Sequence, residues 1–134
     1  MDSATRNIKG SCLCGAIQLS INTFDRDVVA CHCRQCRKQS GHFVAATRAA
    51  NTDLHIEGEE HLRWYSATPE AERGFCGECG SLLFWRVKDS AHTSIMAGCL
   101  DSPTGLKLSH HIYVDDKGDY YGLDEGVRTY SQSD

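Results

Sequence analysis

Long apolar runs are missing from this sequence, and their absence excludes whole classes of protein. No stretch approaches the roughly 20 consecutive apolar residues of a membrane-spanning helix, so we expect no membrane partner. Residues 1–10 are polar and lack the apolar segment of a secretory signal. We therefore expect a cytoplasmic protein, whose cysteines persist as thiols in a reducing compartment.

An excess of basic residues is also missing. The chain has 14 Lys and Arg residues against 18 Asp and Glu residues, for a formal net charge of −4. Nucleic-acid-binding proteins usually carry a clustered basic face, so no nucleic-acid partner is expected. The hydrophobic fraction of 40% and the charged fraction of 24% are typical of a globular protein, and 134 residues suit one domain spanning residues 1–134.

Helical periodicity is the third absence. No segment of ten or more residues repeats apolar side chains every 3.6 positions, so little helix is predicted. The clearest strand is 16–21, where apolar and polar residues alternate. Further strands are predicted at 28–33, 43–47, 54–57, 62–65, 82–85, 94–99 and 110–114. Residues 34–40 suit a turn or one short helix, and only a polar tail is expected after about residue 122. The fold class predicted is mainly antiparallel β.

Cysteine, by contrast, is abundant: eight residues form two pairs, a triplet and one single residue. The first pair is Cys12 and Cys14. The second, Cys76 and Cys79, lies in the zinc-knuckle pattern Cys-Gly-Glu-Cys-Gly, whose glycines permit the tight turn. Four thiolates are the ligand set of a closed, tetrahedral structural zinc, which would fasten the N-terminal hairpin to the segment before Leu82.

Two alternatives compete with a structural zinc. A disulfide framework is disfavoured, because a reducing compartment breaks disulfides and cysteines two positions apart pair poorly with each other. The spacing of Cys76 and Cys79 also occurs in thioredoxin-like redox motifs. That motif opens a helix after a strand, whereas here a strand is predicted to follow the pair.

Cys31, Cys33 and Cys36, the triplet, lie at the end of a predicted strand. They offer three ligands to a second zinc with no fourth nearby in the sequence, and three protein ligands with an open position is the arrangement of a catalytic zinc. An exogenous thiol could take that position, where the metal would stabilise its thiolate near neutral pH. In one alternative Cys99 is the fourth ligand and the site is structural. In another, the three cysteines are reactive without a metal.

Residues beside the triplet are further candidates. His32 lies between two proposed ligands, so on an extended backbone it points away from the metal and is expected to be a hydrogen-bonded structural histidine. Arg34, Arg37 and Lys38 are each most simply solvated charges. As a set beside an anionic site, they could offset its charge and receive the carboxylates of a substrate.

In order and spacing, these motifs resemble those of the glutathione-dependent formaldehyde-activating enzymes, a family that also includes centromere protein V. The resemblance extends over roughly residues 10–114. Four blocks carry it, namely residues 10–15, residues 31–37 with 40–41, residues 75–81 and residues 97–101. It implies a β-tent fold, in which small twisted antiparallel sheets are clasped by a zinc ion held between the two cysteine pairs.

The resemblance also implies a reaction and a set of roles. The two pairs would hold a structural zinc and the triplet a second, more labile one, giving two zinc ions per chain. Arg34, Arg37 and Ser40 are the candidate substrate contacts. In the namesake enzymes, glutathione and formaldehyde combine to S-hydroxymethylglutathione, a carbon–sulfur lyase reaction. We therefore expect a zinc-dependent carbon–sulfur lyase whose partner is a small thiol such as glutathione.

The sequence departs from the family pattern at two places. Relatives often carry a tryptophan in the C-terminal block, where Tyr120 and Tyr121 stand here, and Cys99 stands where a small or hydroxyl residue is expected. Two other functions are weighed. One is a non-catalytic, zinc-stabilised binding module, as in β-tent relatives that bind proteins. The other is a methionine sulfoxide reductase, which would need Cys99 for catalysis in a setting unlike that enzyme's motif.

Overall fold

The computed structural model describes residues 7–134, and its backbone is built mainly of β-strands. The strands are β1 Ile8–Ser11, β2 Gln18–Ile21, β3 Arg26–Cys31, β4 Val44–Ala50, β5 Leu54–Glu57, β6 Leu62–Tyr65, β7 Ala71–Cys76, β8 Leu82–Val87, β9 His92–Met96, β10 Leu108–Ile112 and β11 Arg128–Thr129. Within this range the one α-helix is α1, Arg34–Ser40, and single 3-10 turns join several strands. The predictions of a mainly β fold and of little helix are confirmed. Among the described residues, no helix has the length and apolar character needed to span a membrane.

Most predicted strands lie within a few residues of an observed one. Leu54–Glu57 and Leu62–Tyr65 agree at both ends, and segment 34–40 is the short helix α1. The strand predicted at 94–99 ends earlier, because Ala97–Cys99 form a 3-10 turn. β1 and β7 were not predicted, and β11 lies in the segment where only a polar tail was expected.

The strands form two sheets. The smaller has the antiparallel order β1-β2-β5, and the larger has the order β11-β10-β3-β4-β9-β8-β7-β6. In the larger sheet, β10 runs parallel to both β3 and β11, while the other neighbours are antiparallel. Parallel neighbours need a long crossover connection. Here the segment that contains β4 to β9 connects β3 to β10. The larger sheet is therefore mixed.

Apolar side chains form clusters on opposite faces of the larger sheet. Ile95 and Met96 are consecutive in β9, so their side chains point to opposite faces. Ile95 clusters with Leu19 and Ile21 of β2, which places this main core between the two sheets. Met96 clusters with Cys36 of α1 on the other face. The helix and its cysteine therefore lie on the outer side of the larger sheet.

Candidate metal centres

The two predicted cysteine pairs meet in space. Cys12 and Cys14 lie in the connection between β1 and β2, while Cys76 ends β7 and Cys79 lies in the turn that follows. All four sulfurs lie within 4.8 Å of one another. This four-cysteine cluster joins the smaller sheet to the β7–β8 turn of the larger one.

The sulfur spacing in the four-cysteine cluster fits a tetrahedral metal ion. The Sγ atom of Cys14 lies 3.6 Å from Cys12 Sγ and 3.9 Å from Cys76 Sγ. Zn–S bonds of about 2.3 Å in tetrahedral geometry place the sulfurs about 3.8 Å apart, whereas a disulfide needs about 2.05 Å. All the cysteines are free thiols. Both the donor type and the spacing therefore suit zinc.

Hydrogen-bond donors surround the sulfurs of this cluster. They are the Ile17 amide, 3.3 Å from Cys12 Sγ, the Glu78 amide, 3.4 Å from Cys76 Sγ, and the Ser81 hydroxyl, 3.2 Å from Cys79 Sγ. The Ser81 hydroxyl, followed by the backbone amides of Ser81 and Cys14, lowers the pKa of Cys79 to about 5. Donors to sulfur favour the thiolate, which is the form that binds metals.

The triplet lies where β3 meets α1. Cys31 ends β3, Cys33 caps the N-terminus of α1, and Cys36 is buried within the helix. The Cys33 sulfur accepts a hydrogen bond from the Cys36 amide at 3.4 Å, and the three sulfurs lie within 4.8 Å of one another. Between residues 7 and 134, no His, Asp, Glu or further Cys adds a fourth ligand atom to this group. The triplet is thus a three-donor cluster.

The thiols of the triplet differ in acidity. Hydrogen bonds from the Cys31 and Cys36 thiols, helped by the Cys36 amide and the Arg73 guanidinium, hold the pKa of Cys33 far below its ordinary value. The same thiol contacts, together with burial, raise the pKa of Cys31. Negative charge in the triplet is therefore best stabilised on Cys33.

A buried arginine that the sequence analysis did not single out faces the triplet. Arg73, in β7, is only 5% exposed. Its Nη1 lies 3.6 Å from Cys36 Sγ and 3.1 Å from Gln39 Oε1, and its Nη2 lies 3.1 Å from Gln35 Oε1. Gln35 and Gln39 are neighbours on one face of α1 and hold the guanidinium against the helix. A charged residue in a strand that was not predicted gives no local sign that it is buried. The one sequence signal for a role of Arg73 near a metal site was its position three residues before Cys76.

The predicted substrate contacts take different positions. Arg34 and Lys38 are exposed on α1. Arg37 is half-buried, and its Nε atom is enclosed with no hydrogen-bond partner among the described residues. The Ser40 hydroxyl donates to the Cys36 carbonyl at 2.7 Å and so closes the end of the helix. Their contact with a substrate stays a prediction.

His32 is fully buried and hydrogen-bonded, as predicted. Its Nδ1 lies 2.5 Å from the Tyr121 hydroxyl, and its Nε2 lies 2.8 Å from His111 Nδ1. Burial, with smaller effects from His111, His42 and Lys117, lowers the pKa of His32 to about 4, so the ring is neutral at pH 7. His32 thereby ties the strand that carries the triplet to the C-terminal segment.

This arrangement yields a prediction for the two adjacent tyrosines. Tyr121→Phe removes a partner of the buried His32 ring and should destabilise the protein by about 1–3 kcal/mol. Tyr120→Phe also removes a tyrosine hydroxyl, but from a side chain that is 61% exposed. That hydroxyl lies 2.5 Å from Nδ1 of the exposed His42. The cost of Tyr120→Phe should be below about 0.5 kcal/mol. Urea unfolding measures both, and equal losses would contradict the structural role of His32.

Cys99 lies beside the smaller sheet, away from the triplet. Gly10 of β1 forms an isolated β-bridge with Leu100. The two backbones are so close there that a Cβ atom on Gly10 would lie 2.5 Å from the Cys99 carbonyl oxygen. The Cys99 side chain packs against the core that contains Cys12, and burial raises the pKa of its thiol to about 12. Cys99 belongs to neither ligand cluster. The structure therefore gives no support to the alternative in which Cys99 closes the second site.

The fold and the clusters define a class of protein: a mainly β chain with a four-thiol and a three-thiol site, each compact enough for a metal ion. A sequence model of the family described as glutathione-dependent formaldehyde-activating enzyme matches residues 7–116. Because this match spans most of the chain, the protein belongs to that family.

Two individual proteins are similar to this chain, one in sequence and one in fold. A Schizosaccharomyces pombe protein named as an uncharacterised lyase is 28% identical over 115 residues, which are 84% of this chain and 82% of that protein. A crystal structure of a Rhodobacter sphaeroides protein superposes with a TM-score of 0.62 at 21% identity, covering 91% of this chain and 98% of that one. At this identity, the likeness shows a shared fold.

Proposed function

We propose that this protein is a zinc-dependent carbon–sulfur lyase that combines formaldehyde with glutathione or a similar thiol. The observation that carries the proposal is the triplet, a three-donor cluster in a chain of the formaldehyde-activating family. Three protein ligands leave a position for a substrate, whereas a structural zinc is closed by four. The S. pombe relative, named as a lyase, supports the same reaction class.

Each cluster has a separate role in this proposal. The four-cysteine cluster would hold a structural zinc, and Cys31, Cys33 and Cys36 would hold the reactive one. A zinc ion bound by the triplet would act as a Lewis acid that favours the thiolate form of an incoming thiol near neutral pH. Cys36 is fixed by its burial and Cys33 by its position at the helix cap, so the two sulfurs keep their relative positions while a substrate enters.

The reaction itself requires little further chemistry. The glutathione sulfur forms a bond to the formaldehyde carbon, and the carbonyl π electrons move to the oxygen. That oxygen receives a proton equivalent to the one the thiol released, so the atoms balance and nothing is oxidised. Holding the thiolate and the aldehyde close together supplies much of the rate gain in such an addition.

Arg37 is the candidate contact for a carboxylate of the thiol substrate. It lies on α1, one residue after Cys36, and its enclosed Nε has no hydrogen-bond partner among the described residues. A guanidinium binds carboxylates through paired N–H donors. Arg34 lies one turn earlier on the same helix, exposed to solvent, and could receive a second carboxylate.

The test is the rate at which S-hydroxymethylglutathione forms from glutathione and formaldehyde. With the zinc-loaded protein, we expect a rate above the uncatalysed one and proportional to protein concentration. S-methylglutathione, which lacks the thiol, is the matched substrate control and should show no reaction. If glutathione neither binds nor reacts faster, the lyase proposal is wrong and the non-catalytic binding module becomes the better hypothesis.

A further inference from the structure

Arg73 carries a buried positive charge with no carboxylate partner among the described residues. None of the ion pairs found among residues 7–134 includes it. Its hydrogen-bond acceptors are the neutral side-chain oxygens of Gln35 and Gln39 and the sulfur of Cys36. A buried charge is costly unless an opposite charge compensates it. The compensating charge in this environment is that of the triplet.

The charge balance of the triplet matches this need. Three thiolates around a divalent metal ion sum to a net charge of −1, and one guanidinium brings the sum to zero. Gln35 and Gln39 hold Arg73 from one side, so its Nη1 points at Cys36 Sγ at 3.6 Å. A guanidinium keeps its charge throughout the physiological pH range, so the compensation is permanent.

We propose that Arg73 is a positioning residue that balances the charge of the metal-loaded triplet and thereby sets how tightly the triplet holds zinc and then an incoming thiolate. This inference rests on the proposed function, since it takes the triplet to be a zinc site. A fourth, exogenous thiolate adds one more negative charge. Without Arg73 the assembly would reach −2, whereas with Arg73 it stays at −1, which favours substrate entry.

The experiment compares three variants of the zinc-loaded protein. Arg73→Met removes the charge at similar volume and leaves the charge of the metal-loaded triplet uncompensated. Arg73→Lys keeps the charge. Arg86→Met is the matched control, because Arg86 lies in the adjacent strand β8, pairs with Glu72 at 2.7 Å and stacks on Trp64, away from the triplet.

Each variant is titrated with a chelator, and the zinc released is measured with a colorimetric indicator. The zinc of the triplet is identified as the one missing from Cys36→Ser. In Arg73→Met we expect this zinc to be held about 10- to 100-fold more weakly, the usual effect of losing a group that supports metal ligands. Arg73→Lys should restore most of the affinity, Arg86→Met should match the wild type, and the other zinc should be unchanged in all three.

A second readout is the affinity of the loaded proteins for glutathione, measured by calorimetry. It should fall in Arg73→Met and recover in Arg73→Lys, a pattern that a purely structural role would not give. If Arg73→Met does not fold, Arg73→Gln, which keeps an amide toward Gln35 and Gln39, replaces it.

Two results overturn the inference alone: wild-type zinc affinity in the neutral variant, or equal losses in the Lys and neutral variants. A wild-type protein that releases only one zinc would overturn the inference together with the zinc site of the proposed function.

Discussion

Cys79→Ser should unfold the protein or remove most of its folding free energy. Zinc binding by thiolates contributes about 10–16 kcal/mol to the folding of small zinc domains, while whole domains are stable by only about 5–15 kcal/mol. Cys79 is only half-buried, whereas Cys76 is fully buried, so replacing Cys79 tests the metal bond with little lost packing. The four-cysteine cluster joins the two sheets, so its loss should separate them and expose the core between them.

Thermal unfolding, near-ultraviolet circular dichroism and zinc content measure this effect. Cys99→Ser is the matched control, since it makes the same chemical change in a half-buried cysteine outside both clusters. We expect that control to keep both zinc ions and to lose no more than about 1–2 kcal/mol, as an ordinary core substitution does. A Cys79→Ser protein that is as stable as Cys99→Ser would show that the four-cysteine cluster does not hold the fold together.

Cys36→Ser should remove the catalysed rate while the fold persists. Serine is close in size to cysteine but has no thiol. Because zinc binds the thiolate form of cysteine, serine is a poor zinc ligand at neutral pH. Losing even a supporting residue of a metal site typically costs about 10- to 100-fold, so loss of a direct ligand should cost at least about 100-fold in rate. The rate of S-hydroxymethylglutathione formation measures this change.

The fold of Cys36→Ser must be checked in parallel. Its urea unfolding midpoint should stay near that of Cys99→Ser, because the four-cysteine cluster is intact in both proteins. Cys99→Ser should also keep the full catalysed rate. Undiminished catalysis by a folded Cys36→Ser protein would exclude the triplet as the reactive site.

The local pattern of apolar and polar residues was enough to predict part of the fold. Leu54–Glu57 and Leu62–Tyr65 were predicted at both ends, because each is a short run of alternating exposure bounded by turn residues. β7 was missed, since Glu72, Arg73 and Gly74 interrupt any apolar period. Arg73 is buried because it contacts Cys36, 37 positions away in the chain, and no local rule detects that contact.

The C-terminal part of the fold depends on distant contacts. β10 was predicted as a strand, but its parallel pairing with β3 follows from the order in which the sheet is assembled. The segment expected to be a polar tail is docked by backbone hydrogen bonds, including Tyr130 N–H to the His111 carbonyl at 2.9 Å. Its polar composition gives no apolar period from which a strand could be predicted.

The candidate site was more predictable than the fold around it. Cysteines separated by one or two residues have few roles other than binding a metal, so their spacing predicted both clusters. The structure brings the sulfurs of each cluster together. The residues that support the triplet were not predictable in the same way. Arg73 reaches it from β7, whereas Cys99, which was considered as a ligand, lies with the main core.

The most direct test of the central claim is the zinc content per folded chain of the wild-type and Cys36→Ser proteins, measured by elemental analysis after gel filtration. Two clusters with different roles require two zinc ions in the wild type and one in Cys36→Ser, with both proteins folded. A wild-type chain with fewer than two zinc ions, or a Cys36→Ser chain that keeps two, would contradict the account.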